Sequence, residues 1–185
     1  DMMTSVFKSQ IPAMEKSDFL VMFEPVGATA QPIVITQNEF MRRMKDMAAI
    51  QSGMAFYGEL PDSYNLIVNT DHPLSQKVIA DTESACKSEL TPILDELKTV
   101  NEEIERLQEA KKDKKDDEIP VADKEALKHA EEKAKELRAK ESDILKTYAD
   151  RTPLVRQLVD LALLSNNMLK GEALSKFIKR SVEML

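Results

Sequence analysis

The chain has 185 residues and a formal net charge of −7, with 26 Lys and Arg set against 33 Asp and Glu. With only 4 glycines, 5% aromatic residues and 32% charged ones, it reads as a mostly helical chain with room for one domain and an appendage. The acidic balance argues against a nucleic-acid or anionic-membrane surface. No apolar run is long enough to span a membrane. The one cysteine, Cys86, has no partner within the chain, which fits a reducing compartment, and no signal-peptide pattern is visible. Because the chain starts at Asp1 rather than Met, it reads as a fragment of a longer, cytoplasmic protein.

Residues 1–11 predict a short helix with Met3, Val6 and Phe7 on one face, ended by Pro12. FLVMF at 19–23 and IVIT at 33–36 are β-rich and bounded by Pro25, Gly27 and Pro32. NEFMRRMKDMAAIQ at 38–51 has a helical period, with Asn38 as N-cap and Gly53 as stop. YNLIV at 64–68 predicts a third strand, and Asp71 with Pro73 sets up a helix from about Leu74.

The pattern then changes to heptads. Leu90, Ile93, Leu97, Val100, Ile104 and Leu107 alternate in spacings of three and four, and so do Leu127, Ala130, Ala134, Leu137, Glu141, Ile144 and Tyr148. The polar segment 110–123, with Pro120, separates the two seams. An antiparallel helical hairpin follows, leaving the body near Pro92, where a helix starts or kinks, and projecting roughly 30 Å. Thr152–Pro153 opens a further helix that Gly171 stops, and EALSKFIKRSVEML forms the last one. These two helices carry more apolar surface than a small domain can cover, and a symmetric partner is the expected cover.

The chain carries no catalytic signature. His72 and His129 lie far apart, one cysteine and two histidines give no zinc spacing, and there is no glycine-rich phosphate loop. Lys111, Lys112, Lys114 and Lys115 are neutralised by Asp113, Asp116, Asp117 and Glu118 beside them, so the hairpin tip offers phosphate no uncompensated cations. The stretch 38–51 is more informative. Phe40, Met44 and Met47 share a face with Met41 and Ala48 beside it, either as an ordinary core contact or as a pliable surface for varied polypeptides.

PIVIT followed by NEFMRRMKDMAAIQ, the NLIVNTDHPL turn and RQLVDLALLSNNMLKGEALSKFIKRSVEML, in that order, resemble the C-terminal domain of the 90-kDa heat-shock-protein chaperones, HtpG branch. The resemblance covers about 1–83 and 151–185. It implies an α+β fold in which a small three-stranded sheet packs with helices and a C-terminal helix pair completes a four-helix bundle in a homodimer. The dimer interface then falls on Leu154, Leu158, Leu161, Ala162, Met168, Leu174, Phe177 and Ile178. Contact with non-native client polypeptides falls on Phe40, Met41, Met44 and Met47. ATP and Mg belong, by the same resemblance, to an N-terminal domain outside this chain, so neither cofactor nor catalysis is expected here. The ending VEML lacks the acidic tail that recruits helical-repeat co-chaperones, and none is expected. Residues 84–150 have no counterpart in the usual family domain and read as an inserted coiled coil. The alternative is a scaffold whose hairpin captures one dedicated protein partner.

Overall fold

The computed structural model describes residues 2–37, 39–50, 60–112 and 120–184. The expected cap Asn38, the expected stop Gly53 and the charged tip 113–119 lie outside them. Helix α1, Met2–Lys8, buries Met3, Val6 and Phe7, the face its spacing predicts. The chain then turns at Gln10, a buried amide that donates to Asp150 Oδ1 at 2.8 Å.

Strands β1 (Ser17–Glu24), β2 (Ile33–Gln37) and β3 (Asp62–Asn69) form one mixed sheet in the order β1-β3-β2. β1 runs parallel and β2 antiparallel to β3. Strands β1 and β3 extend beyond their apolar runs because the backbone ladder continues to Ser17 opposite Asp62, where pairing outweighs the weak strand preference of Ser and Asp. Side chains alternate between faces, so Val21, Leu66, Val68, Ile33 and Ile35 share the buried face. Phe19 stacks on its register partner Tyr64 with centroids 5.3 Å apart, and Phe7 meets Phe23 edge-on at 5.9 Å. Helix α2, Glu39–Ile50, lies between β2 and β3 in sequence and contacts β3.

The turn after β3 is built by side chains. Buried Asn69 accepts from the N–H of Val26 (3.0 Å) and of Asp71 (3.1 Å), and its amide donates to the carbonyls of Gly27 (2.8 Å) and Gln31 (3.1 Å). Asp71 Oδ2 accepts from Gly27 N at 2.9 Å. His72 Nδ1 then caps helix α3 by accepting from Leu74 N at 3.1 Å.

Helix α3, Pro73–Glu109, runs 37 residues without a break. At about 1.5 Å per residue it spans ~55 Å. The expected helix start at Pro92 does not occur, and Pro92 lies inside the helix. Pro92 is exposed, and buried Leu90 and Leu97 hold the helix on either side. Helix α4, Val121–Arg151, returns antiparallel: Cys86 and Tyr148 line one groove at the root, and Glu103 and Ala122 line another toward the tip. Leu97, Val100, Ala130, Ala134 and Leu137, with Ile93 and Ile104 against them, form a small cluster separate from the main core.

Below that cluster the heptad expectation needs correction. Glu141, Ile144 and Tyr148 are only half-buried, and the fully buried residues are Leu145 and Ala149. At its root α4 packs against α1 as well as α3, so its inward face rotates toward the main core.

Thr152 alone separates α4 from helix α5, Pro153–Ser165, and helix α6 follows at Gly171–Glu183. The expected stop at Gly171 is also corrected. α5 ends where Asn167 adopts φ 56°, with Met168 N donating to Leu163 O (2.8 Å) and Asn167 N to Leu164 O (3.0 Å), a Schellman end built on asparagine. Gly171, at φ 57°, begins α6 instead. The main core joins α1, the buried sheet face, the roots of α3 and α4, and the inner faces of α5 and α6. Among the described residues no helix is long and apolar enough to cross a membrane.

Candidate functional site

Among the described residues, exposed apolar side chains gather on α2 and on the pair α5 and α6. The polar flank of α2 neutralises itself: Glu39 accepts from Arg42 at 2.9 Å and from Arg43 at 2.8 Å, and Arg42 also reaches Asp46 at 3.0 Å. The hydrogen bonds from Arg42 and then Arg43 hold the Glu39 carboxyl at about 2, well below its usual 4.5. Lys45 reaches Asp62 at 2.6 Å and ties the helix to the sheet. On the other flank Ala48 is buried and Met41 and Met44 are half-buried, whereas Phe40 is 66% exposed and Met47 44%. Ile50, one turn beyond Met47, is 84% exposed and extends the same surface. Its i+3 spacing from Met47 was the signal that could have added it.

The second surface is on α5 and α6. The eight residues read from the sequence divide by depth. Leu158, Ala162 and Phe177 are buried in the protomer's own core, and Leu154, Met168 and Leu174 pack half-buried against it. Leu161 and Ile178 point outward, 44% and 54% exposed, and Val182, 68% exposed, joins them one turn beyond Ile178.

Between the helices lies a polar group that the sequence reading missed. Asp160 is completely buried. Its Oδ2 accepts from Arg156 Nε, one turn back on α5 at 3.2 Å, and from Arg180 Nη2 on α6. Gln157 Nε2 donates to Ser181 Oγ at 2.6 Å. The available signal was that Asp160 is the sole charge between Arg156 and Lys170.

His72 is occupied in capping α3, and His129 is exposed on α4. Burial, reinforced by Glu89, pushes the Cys86 thiol up, away from the reactive thiolate. Among the described residues no group of three or more His, Cys, Asp or Glu could hold a metal ion.

The chain is 48% identical to the chaperone protein HtpG of Bacteroides thetaiotaomicron over 182 residues, covering 98% of this chain and 27% of that protein. It is 48% identical to the HtpG of Bacteroides fragilis strain 638R over 183 residues and 45% identical to that of Porphyromonas gingivalis over 183, each covering 99% of this chain and 27% of the relative. No protein-family model and no solved structure matches the chain. The chain belongs to the HtpG branch of the 90-kDa heat-shock-protein chaperones. It spans about a quarter of the length of the curated relatives it matches, and corresponds to a C-terminal part of them. Residues 84–150 lie within the matched stretch, so the segment carrying most of α3 and α4 is shared with these relatives.

Proposed function

We propose that this chain is the dimerising and client-contacting domain of an ATP-dependent HtpG-type chaperone that assists folding in the cytoplasm. The observation that carries the reading is the pair of separate apolar surfaces: Phe40, Met47 and Ile50 on α2, and Leu161, Ile178 and Val182 on α5 and α6. The second surface suits a homodimer, in which each protomer offers the same two helices to the other. The first suits non-native polypeptides, because methionine is unbranched and polarizable and repacks around varied partners. Holding two protomers together at one end would keep their ATPase domains, where ATP and Mg belong, at high effective concentration. The sheet, α1, α2, α5 and α6 (1–83 and 151–185) then act as the body, and 84–150 as an inserted arm. Nucleic acid, membranes and tail-binding helical-repeat co-chaperones have no part in this reading.

Light scattering across a hundredfold range of concentration tests the dimer, and a monomer throughout would overturn it. Binding of an unfolded model protein by Phe40→Ser/Met47→Ser tests the client surface; undiminished affinity would remove those residues from it. A second reading has one observation in its favour: the arm has its own buried cluster, apart from the main core. It makes the arm a platform for one dedicated partner. Deleting residues 100–140 separates the two, since a scaffold loses its partner while a chaperone domain keeps both dimerisation and client contact.

A further inference from the structure

We propose that Asp160, clamped by Arg156 and Arg180, is a pairing lock that fixes α6 on α5 in one register and so decides which face of α6 a second copy of this chain meets. The proposal rests on the dimer reading above and assigns these residues a positioning role within it.

The network is costly as a source of stability. Asp160 is completely buried, yet both arginine contacts converge on one oxygen, Oδ2. Asp160 Oδ1, Gln157 Oε1 and Arg180 Nε are buried without a hydrogen-bond partner. Buried charges and unmet polar atoms lose more solvation than such geometry returns, and well-packed apolar residues of similar size usually stabilise at least as well. What a buried ion pair does supply is discrimination between alignments.

The α5–α6 contact has need of that. Among its described residues α6 buries only Phe177, with Ala173 and Leu174 partly buried against the core. So sparse an apolar contact tolerates sliding. The charges do not: moving α6 by one turn, about 5.4 Å, carries the Arg180 guanidinium away and sets either Met184 or Lys176 opposite Asp160, and neither a thioether nor a flexible ammonium reproduces the guanidinium's fixed donors. The bond between Gln157 and Ser181, each a near neighbour of a lock residue, enforces the same alignment. The alignment then fixes the outward stripe, because Ile178 and Val182 flank Arg180 on α6 and Leu161 follows Asp160 on α5.

The test uses the full chain with a spin label on Lys176→Cys, exposed on α6, since buried Cys86 labels poorly. The parent should give a dimer with one narrow distance between labels. Asp160→Leu/Arg180→Met should keep or raise Tm, while the distance broadens or splits or further oligomers appear. An unchanged narrow distance in that variant overturns the lock and leaves the dimer standing. A fall in Tm with the narrow distance retained overturns it too, by making the network a stability element. A parent that stays monomeric overturns the dimer reading and the lock together. As a second variant, Asp160→Asn keeps the side-chain shape and removes the charge; the lock requires it to broaden the distance as well, and a narrow distance there counts against it.

Discussion

Lys45 of α2 meets Asp62, the first residue of β3, at 2.6 Å. That bond fastens the helix at its polar flank, so its apolar flank is displayed outward instead of being folded into the core. Lys45→Met should therefore raise amide exchange across 39–50 and leave the core strands protected. The pair is partly solvent-exposed and worth about 1 kcal/mol or less, so Tm should move little. Unchanged exchange would show that Ala48 and its contacts hold α2 by themselves.

Depth separates two substitutions on neighbouring helices. Leu158→Glu places a charge in the main core and should destabilise the protomer by more than about 3 kcal/mol. Ile178→Glu lies on the exposed stripe and should change protomer stability by less than about 0.5 kcal/mol while shifting the proposed dimer toward monomer. Thermal unfolding and sedimentation equilibrium on both variants check this. Equal loss of Tm in the two would mean that Ile178 supports the core.

The start of α2 should respond to acid. In the folded chain Glu39 sits at about 2 against an ordinary 4.5, because Arg42 and Arg43 bond its charged form. A lowered folded-state value means its contribution is complete above 4.5 and disappears as pH falls toward about 2. Backbone chemical shifts of residues 39–46 should lose helical character through that window. Glu39→Gln should flatten the response, and a variant that titrates like the parent would assign the change to other carboxylates.

Asn69 is a single side chain holding four backbone groups, three from the β1–β2 connection and one from the turn after β3. Asn69→Ala takes the partner from these part-buried groups, and should cost about 2 kcal/mol. Asn69→Asp keeps the acceptor but sets a carboxylate against the carbonyls of Gly27 and Gln31, and should not restore stability. Equilibrium denaturation of both variants measures this; a loss below 1 kcal/mol in Asn69→Ala would mean that water replaces the amide.

Periodicity made the elements legible, because apolar spacing reports which face is buried. It recovered α1, the three strands and both long helices of the arm. It failed where one local signal competed with tertiary contact. Pro92 carries a breaker signal, but packing at Leu90 and Leu97 overrides it. Gly171 looks like a stop, yet Asn167 takes the left-handed position first. The heptad reading follows Glu141, Ile144 and Tyr148 because spacing in one helix says nothing of α1 lying alongside. For the candidate surfaces, residue type located the right helices, but it could not tell Leu158, facing inward, from Leu161, facing out. The Asp160 lock needed both helices in view, since its partners Arg156 and Arg180 stand on different ones.

The chain's sole sulfhydryl lies at the root of the arm, in a groove shared with Ile144, Thr147 and Tyr148. Cys86 is buried there among main-core residues, and its thiol is held up in the protonated range. A thiol reagent meets little of it in the closed groove, where the residue is 3% exposed, so modification should quicken whenever α3 and α4 part at their base. The molecule thus carries its own gauge of how often the arm loosens from the body. No engineered probe is required, and a load placed on the arm becomes readable as a change in the lifetime of one free sulfhydryl.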